Sequence, residues 1–237
     1  MINLHYVLVT KFYEFIFRKK VKDEKIIYMF HSITDEETNT KEFCSNMHSF
    51  EKFIKNELIK NAPTKLSDLI SNNTKRGFAI TFDDVFENVY TNAYPILKKY
   101  HIPFTIFVTT SLLDKPNYLS KQQLIEMASD ELCTVGAHTV NHPRLRTCKD
   151  SYNDIITSKY NLEKILDKNI EFFAYPFGSI FACSLKNVFQ VKRSGFTAAF
   201  STIKGYVPTC AARFNFFLPR NNGDHFVKKI EESEVLK

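Results

Sequence analysis

Residues 77–84 read GFAITFDD, an uncharged apolar run that ends abruptly in two adjacent aspartates, Asp83 and Asp84. A continuous apolar run of this length predicts a strand buried on both faces, as in a parallel sheet. Runs of the same kind stand on either side of it: IIYMF (26–30), FTIFVT (104–109), CTVGA (133–137), EFFAY (171–175), FTAAF (196–200) and, less regularly, FNFFL (214–218). Helical spacing fills most of the gaps. Tyr90, Ala93, Tyr94 and Leu97 mark one buried helical face, and Pro103 breaks the chain before the next strand. Ser120 is placed to N-cap a helix carrying Leu124, Ile125 and Ala128. Tyr152, Ile155, Leu162 and Leu166 mark another helix, and a polar one follows Gly223. Strands alternating with helices predict an α/β fold of parallel βαβ units. Six or seven units suit a small or incomplete barrel, since eight units typically need about 250 residues. A doubly wound open sheet is the alternative. In both folds a site lies at the C-terminal ends of the strands.

Reactive side chains fall at those ends. His31 follows IIYMF, Asp83 and Asp84 follow FAITF, and His138 and His142 follow CTVGA as H-T-V-N-H. AYPFG (174–178) closes the fifth strand, and Arg220 follows the last apolar run. On an extended strand the two aspartates are expected to point to opposite sides, one toward a cation and its neighbour toward substrate. Two imidazoles spaced H-x-x-x-H can share a metal, and two His with one carboxylate is a known catalytic zinc arrangement. Any one of these features alone is commonplace, a solvated turn or a core histidine. Their coincidence at three strand ends points to chemistry. His5, His48 and His101 have no such setting and read as structural, while His225 is left open by its nearness to Arg220.

Composition narrows the field from the other side. The chain has 237 residues, 44% hydrophobic and 24% charged, enough for one sizeable core. Its six glycines are scattered, which excludes a Walker-type loop and a G-x-G-x-x-G fingerprint, both of which need clustered glycines against phosphate. The net charge of +6 is spread along the chain without interleaved aromatics, so no nucleic-acid partner is expected. Five cysteines, odd in number and never in C-x-x-C, argue against a disulfide framework or a cysteine-built zinc site. The longest charge-free run, Phe172 to Leu185, falls short of the roughly 20 residues that span a bilayer.

The ordered set TFDD (81–84), HIPFTIFV (101–108), GAHTVNHPRL (136–145) and YPFG (175–178), continuing through GFTAAFSTIKGY (195–206) to FFLPR (216–220), resembles the polysaccharide deacetylases of the NodB-homology, carbohydrate esterase type. The resemblance covers about residues 25–220 and implies an irregular (β/α)7 barrel. It implies that Asp83 is the general base, that Asp84, His138 and His142 hold a divalent metal, and that the backbone N–H of Phe177 stabilises an oxyanion. Zinc is the first expectation, with Co2+, Fe2+ or Mn2+ as alternatives. The implied reaction is hydrolysis of an N-acetyl group on an amino sugar. Three departures from the family pattern stand out. No late L-x-H motif supplies the acid, and YMFHSI (28–33) matches the exopolysaccharide subclass, which makes His31 the expected general acid. The arginine that usually precedes the Pro-aromatic motif is absent, and Arg220 is the candidate replacement. The chain has no Trp, so the aspartate–tryptophan motif of chitin and peptidoglycan enzymes has no counterpart.

These residues predict a metal-dependent deacetylase of an N-acetylated glycan or lipid-linked sugar in capsule or exopolysaccharide metabolism. A sugar deformylase, an O-acetyl esterase and a degenerate carbohydrate-binding barrel are the alternatives. One catalytic domain is expected over 25–237, preceded by a helical extension, 1–24, that is apolar and then basic. The extension has no secretory cleavage pattern, so a cytoplasmic protein is expected. Arg18, Lys19 and Lys20 would give it a peripheral membrane contact, with simple packing on the domain as the alternative.

Overall fold

The computed structural model describes residues 25–35, 43–71, 74–208 and 215–235, so the expected extension over 1–24 lies outside the described residues. Seven parallel strands form one curved sheet. They are β1 (Lys25–Phe30), β4 (Gly77–Asp84), β5 (Phe104–Val108), β6 (Cys133–Ala137), β7 (Phe172–Ala174), β8 (Ala198–Phe200) and β9 (Asn221–Asn222), in the order β8-β7-β6-β5-β4-β1-β9. A separate parallel pair, β2 (Ser32–Thr34) with β3 (Cys44–Asn46), lies just after β1. The helices are α1 (Met47–Lys60), α2 (Leu66–Ile70), α3 (Tyr94–Lys99), α4 (Lys121–Ser129), α5 (Ser151–Leu166), α6 (Leu185–Arg193) and α7 (Gly223–Val235). Ser120 caps α4 as expected, in a full capping box with Gln123.

Alternation along the strands sorts the core into two layers. Ile27, Ala79, Phe107, Phe172, Ala174, Ala198 and Phe200 form one cluster, the barrel interior, whose partners Leu66 and Leu69 come from α2. Their strand neighbours, among them Phe30, Phe82, Ile106 and Phe173, pack outward against Phe53 of α1, Leu97 of α3, Leu124 of α4 and Leu162 of α5. The strands read as continuously apolar because both of these layers are dry. The same alternation carries Thr81 and Asp83 inward after Ala79.

The seventh stave is not the regular strand expected over 214–218. Among the described residues of that run, only Leu218 bridges β8, at Phe200. Ala199 N–H donates to Asn215 O at 2.7 Å and Ser201 N–H to Leu218 O at 2.8 Å, after which Asn221 and Asn222 pair with Tyr28 and Met29 of β1. One irregular segment thus bonds β8 with its first half and β1 with its second. That crossing makes the barrel irregular and carries Arg220 inward.

Candidate active site

The strand ends open into a cleft of about 810 Å³, lined by His31, Asp83, Asp84, His138, His142 and Phe177 among others. Two of the flanking glycines are obligatory. A Cβ on Gly136, two residues before His138, would stand 2.6 Å from the Phe107 ring, and one on Gly178 would stand 2.4 Å from Thr202.

Asp83 and Asp84 do not face opposite ways. Val85 N–H donates back to Asp83 O at 2.7 Å, closing a three-residue turn, and Asp84 and Val85 have φ of 62° and 66°. This strained γ-type turn swings Asp84 out of strand alternation, so both carboxylates enter one cleft. Thr139, His142 and Phe177 also have positive φ. Non-glycine residues seldom adopt that region, and their concentration here means that surrounding contacts hold a strained backbone in place.

Asp83 is buried and gripped by Arg220, with Nη1 donating to Oδ1 at 2.6 Å and Nη2 to Oδ2 at 2.7 Å. Arg220 is itself fully buried and also donates to Thr81 Oγ1 and to the Ser201 carbonyl. Burial raises the Asp83 pKa, but the Arg220 guanidinium and then His138 outweigh it and hold the carboxyl at about 2. The candidate replacement arginine therefore does reach the candidate base.

Asp84, His138 and His142 place one ligand atom each within 4.8 Å of one another. Asp84 Oδ1 lies 3.6 Å from His138 Nε2 and 3.4 Å from His142 Nε2. Donors about 2.1 Å from one ion sit about 3.0–3.4 Å apart at tetrahedral or octahedral angles, so both Asp84–histidine distances are close to those of ligands sharing a divalent cation. His138 Nδ1 lies 2.8 Å from the carbonyl of Ala174, the last residue of β7. Donation of the Nδ1 proton to that oxygen leaves the Nε2 lone pair facing Asp84. The loop between the histidines is tied to α5: Val140 N–H and Asn141 N–H donate to Asp154 Oδ1 at 2.8 and 3.1 Å, and Asn141 Nδ2 donates to Oδ2 at 2.7 Å. His142 N–H donates to Thr139 Oγ1 at 3.0 Å. Burial and the neighbouring His138 lower the His142 pKa.

His31 also lines the cleft, with Nδ1 3.9 Å from Asp224 Oδ2, a charge contact longer than a hydrogen bond. Both atoms are buried and neither has a hydrogen-bond partner. Burial lowers the His31 pKa, but Asp224, Asp83 and Asp84 together outweigh it and raise the value above 6.5. Ser45 Oγ donates to the other Asp224 oxygen at 2.6 Å. The backbone beyond His31 is clamped from the π-helical turn at Val89–Ala93: Ile33 N–H donates to Asn88 Oδ1 at 3.3 Å, and Asn92 Nδ2 donates to Ile33 O at 2.8 Å. Phe177 stacks near His142 and Arg144, and no acceptor among the described residues takes its N–H. Asp224 and Asp154 escaped the sequence reading because an acid in a helical first turn is an ordinary partner of the helix dipole. His225 does not line the cleft.

The sequence profile of the polysaccharide deacetylase family matches residues 71–199. A poly-beta-1,6-N-acetyl-D-glucosamine N-deacetylase of Staphylococcus epidermidis is 33% identical over 175 residues, 67% of this chain and 59% of that one. The enzyme of that name from Staphylococcus aureus is 38% identical over 119 residues, 44% of this chain and 41% of that one. The chain therefore spans about half the length of these relatives. Among solved structures, the Streptococcus pyogenes deacetylase PplD in complex with acetate superposes with a TM-score of 0.74 at 26% identity, covering 84% of this chain and 92% of that one. IcaB from Ammonifex degensii also gives 0.74, at 20% identity over 88% of this chain and 96% of that one, a likeness of fold.

Proposed function

This chain belongs to the polysaccharide deacetylase family, and on that premise we propose that it hydrolyses the N-acetyl amide of amino-sugar units in a surface polysaccharide or its precursor. The observation that carries the reading is one cleft holding both a buried ionised carboxylate, Asp83, and the Asp84, His138 and His142 ligand set. N-acetylglucosamine units are the favoured substrate, because the two staphylococcal relatives are named for that polymer.

A divalent cation on Asp84, His138 and His142, zinc before cobalt, iron or manganese, would acidify a water and polarise the amide carbonyl. Asp83 takes the proton of the attacking water. A carboxyl held at about 2 is a weak base, so it serves only for a water already made acidic. Arg220 and Thr81 keep its oxygens aimed and ionised. The Phe177 N–H donates to the carbonyl oxygen as negative charge develops there. His31, whose pKa the nearby carboxylates raise, gives its proton to the departing nitrogen as the C–N bond breaks. Acetate and a free amine result.

The test is product release by the full chain from three substrates: a β-1,6-linked N-acetylglucosamine oligomer, its N-formyl analogue and an O-acetylated sugar. Acetate from the amide, faster than from the ester, is expected. Formate or ester acetate as the faster product would move the reading to a deformylase or an esterase. No product from any of the three would leave a sugar-binding barrel.

A further inference from the structure

From Phe172 to Gly223 the chain carries no aspartate or glutamate, while Lys186, Lys192, Arg193, Lys204, Arg213 and Arg220 fall within that span. The segment opens at the cleft mouth with Phe177, 46% exposed, and runs through Phe181, also 46% exposed, into α6. On α6, Asn187 and Val191 are buried toward the barrel. The outward face carries Leu185 and Phe189, 72% and 70% exposed and one turn apart. At 100° per residue, Lys192, over the Phe216 ring, continues that face, and Lys186 and Arg193, the latter over the Tyr152 ring, lie together along one side of it. Among the described residues none of these three cations forms an ion pair. Arg146 donates to the Ile180 and Cys183 carbonyls, placing another guanidinium over the turn that holds Phe181.

Single exposed apolar side chains need no explanation, but an apolar strip set among cations, on a stretch of chain without an acid, does. We propose that the outer face of α6 and its preceding turn dock on an anionic lipid surface. Leu185, Phe189 and Phe181 would enter the boundary between headgroups and acyl chains, with Lys186, Lys192 and Arg193 at the phosphates. The cations select a negatively charged surface over a neutral one. The apolar strip selects a bilayer over a soluble polyanion, which would engage the lysines and leave phenylalanine in water. Docking there brings the cleft mouth, at the start of the same segment, beside the membrane. The inference is independent of the chemistry assigned to the cleft.

Vesicle co-sedimentation of the full chain tests it, with phosphatidylcholine vesicles containing or lacking phosphatidylglycerol. The wild type is expected to partition to the anionic vesicles and to be released by salt. Leu185→Ser with Phe189→Ser should lower the partition coefficient about tenfold. Lys186→Glu with Lys192→Glu should abolish the preference for phosphatidylglycerol. Both variants should keep the wild-type Tm and turnover of a short soluble oligosaccharide. Three results would overturn the proposal: no wild-type partition, variant partition equal to wild type, or wild-type self-association that the serine variant abolishes without any vesicle binding.

Discussion

Asp83 stays ionised although buried at the cleft wall because Arg220, 137 residues away in sequence, meets both of its oxygens. A lone carboxylate buried there would take up a proton instead of serving as a base. The pairing resolves the absence of an arginine before YPFG, since the guanidinium reaches the base from a different stave. His31, Asp83, Asp84, His138 and His142 were legible because each sits where a strand ends. Asp224 was not, because its distance to His31 depends on where α7 begins relative to β1. Its charge has a measurable consequence. As the proposed proton donor His31 would be competent below its raised pKa, and activity should fall as pH rises through that value. Asp224→Asn removes one raising charge, so the alkaline limb of the kcat/KM profile should move to lower pH. An unmoved limb would show that Asp224 does not tune the acid.

The elements that matter most are the short ones. Strand alternation predicts that adjacent aspartates diverge, and it fails at Asp84 because the backbone there has φ of 62°. Nothing in the letters DDV announces that turn; only the paired ligand geometry makes sense of its strain. The loop 138–142 is strained in the same way at Thr139 and His142, and its shape depends on the three hydrogen bonds to Asp154. Outer contacts of this kind set metal affinity. Asp154→Ala should therefore weaken cation binding about 10–100-fold in a chelator competition. Asp154→Asn, which keeps the Oδ1 acceptor and loses the bond from Asn141 Nδ2, should fall between. Equal affinity in all three proteins would mean that the loop holds its shape without the tether.

At the scale of the whole molecule, the alternation of apolar strands and amphipathic helices made the barrel class legible, because two dry layers demand continuous apolar strands. The closure was less legible. FNFFL looks like a strand in isolation, yet among its described residues only Leu218 bridges β8, and the chain then crosses to pair with β1 through Asn221 and Asn222. That crossing turns Arg220 inward, so the irregular part of the barrel is the part that completes the site. In the proposed reaction, binding and proton transfer are divided between neighbours, Asp84 with the two histidines holding a cation and Asp83 moving the proton. The direct measurement is cation stoichiometry and acetate release on the same preparations of wild type, Asp83→Asn and His138→Ala. The expected result is one cation per chain in the wild type and in Asp83→Asn, acetate release lost about a thousandfold in Asp83→Asn, and both cation and activity lost in His138→Ala. Full acetate release by Asp83→Asn, or by a wild type that binds no cation, would contradict it.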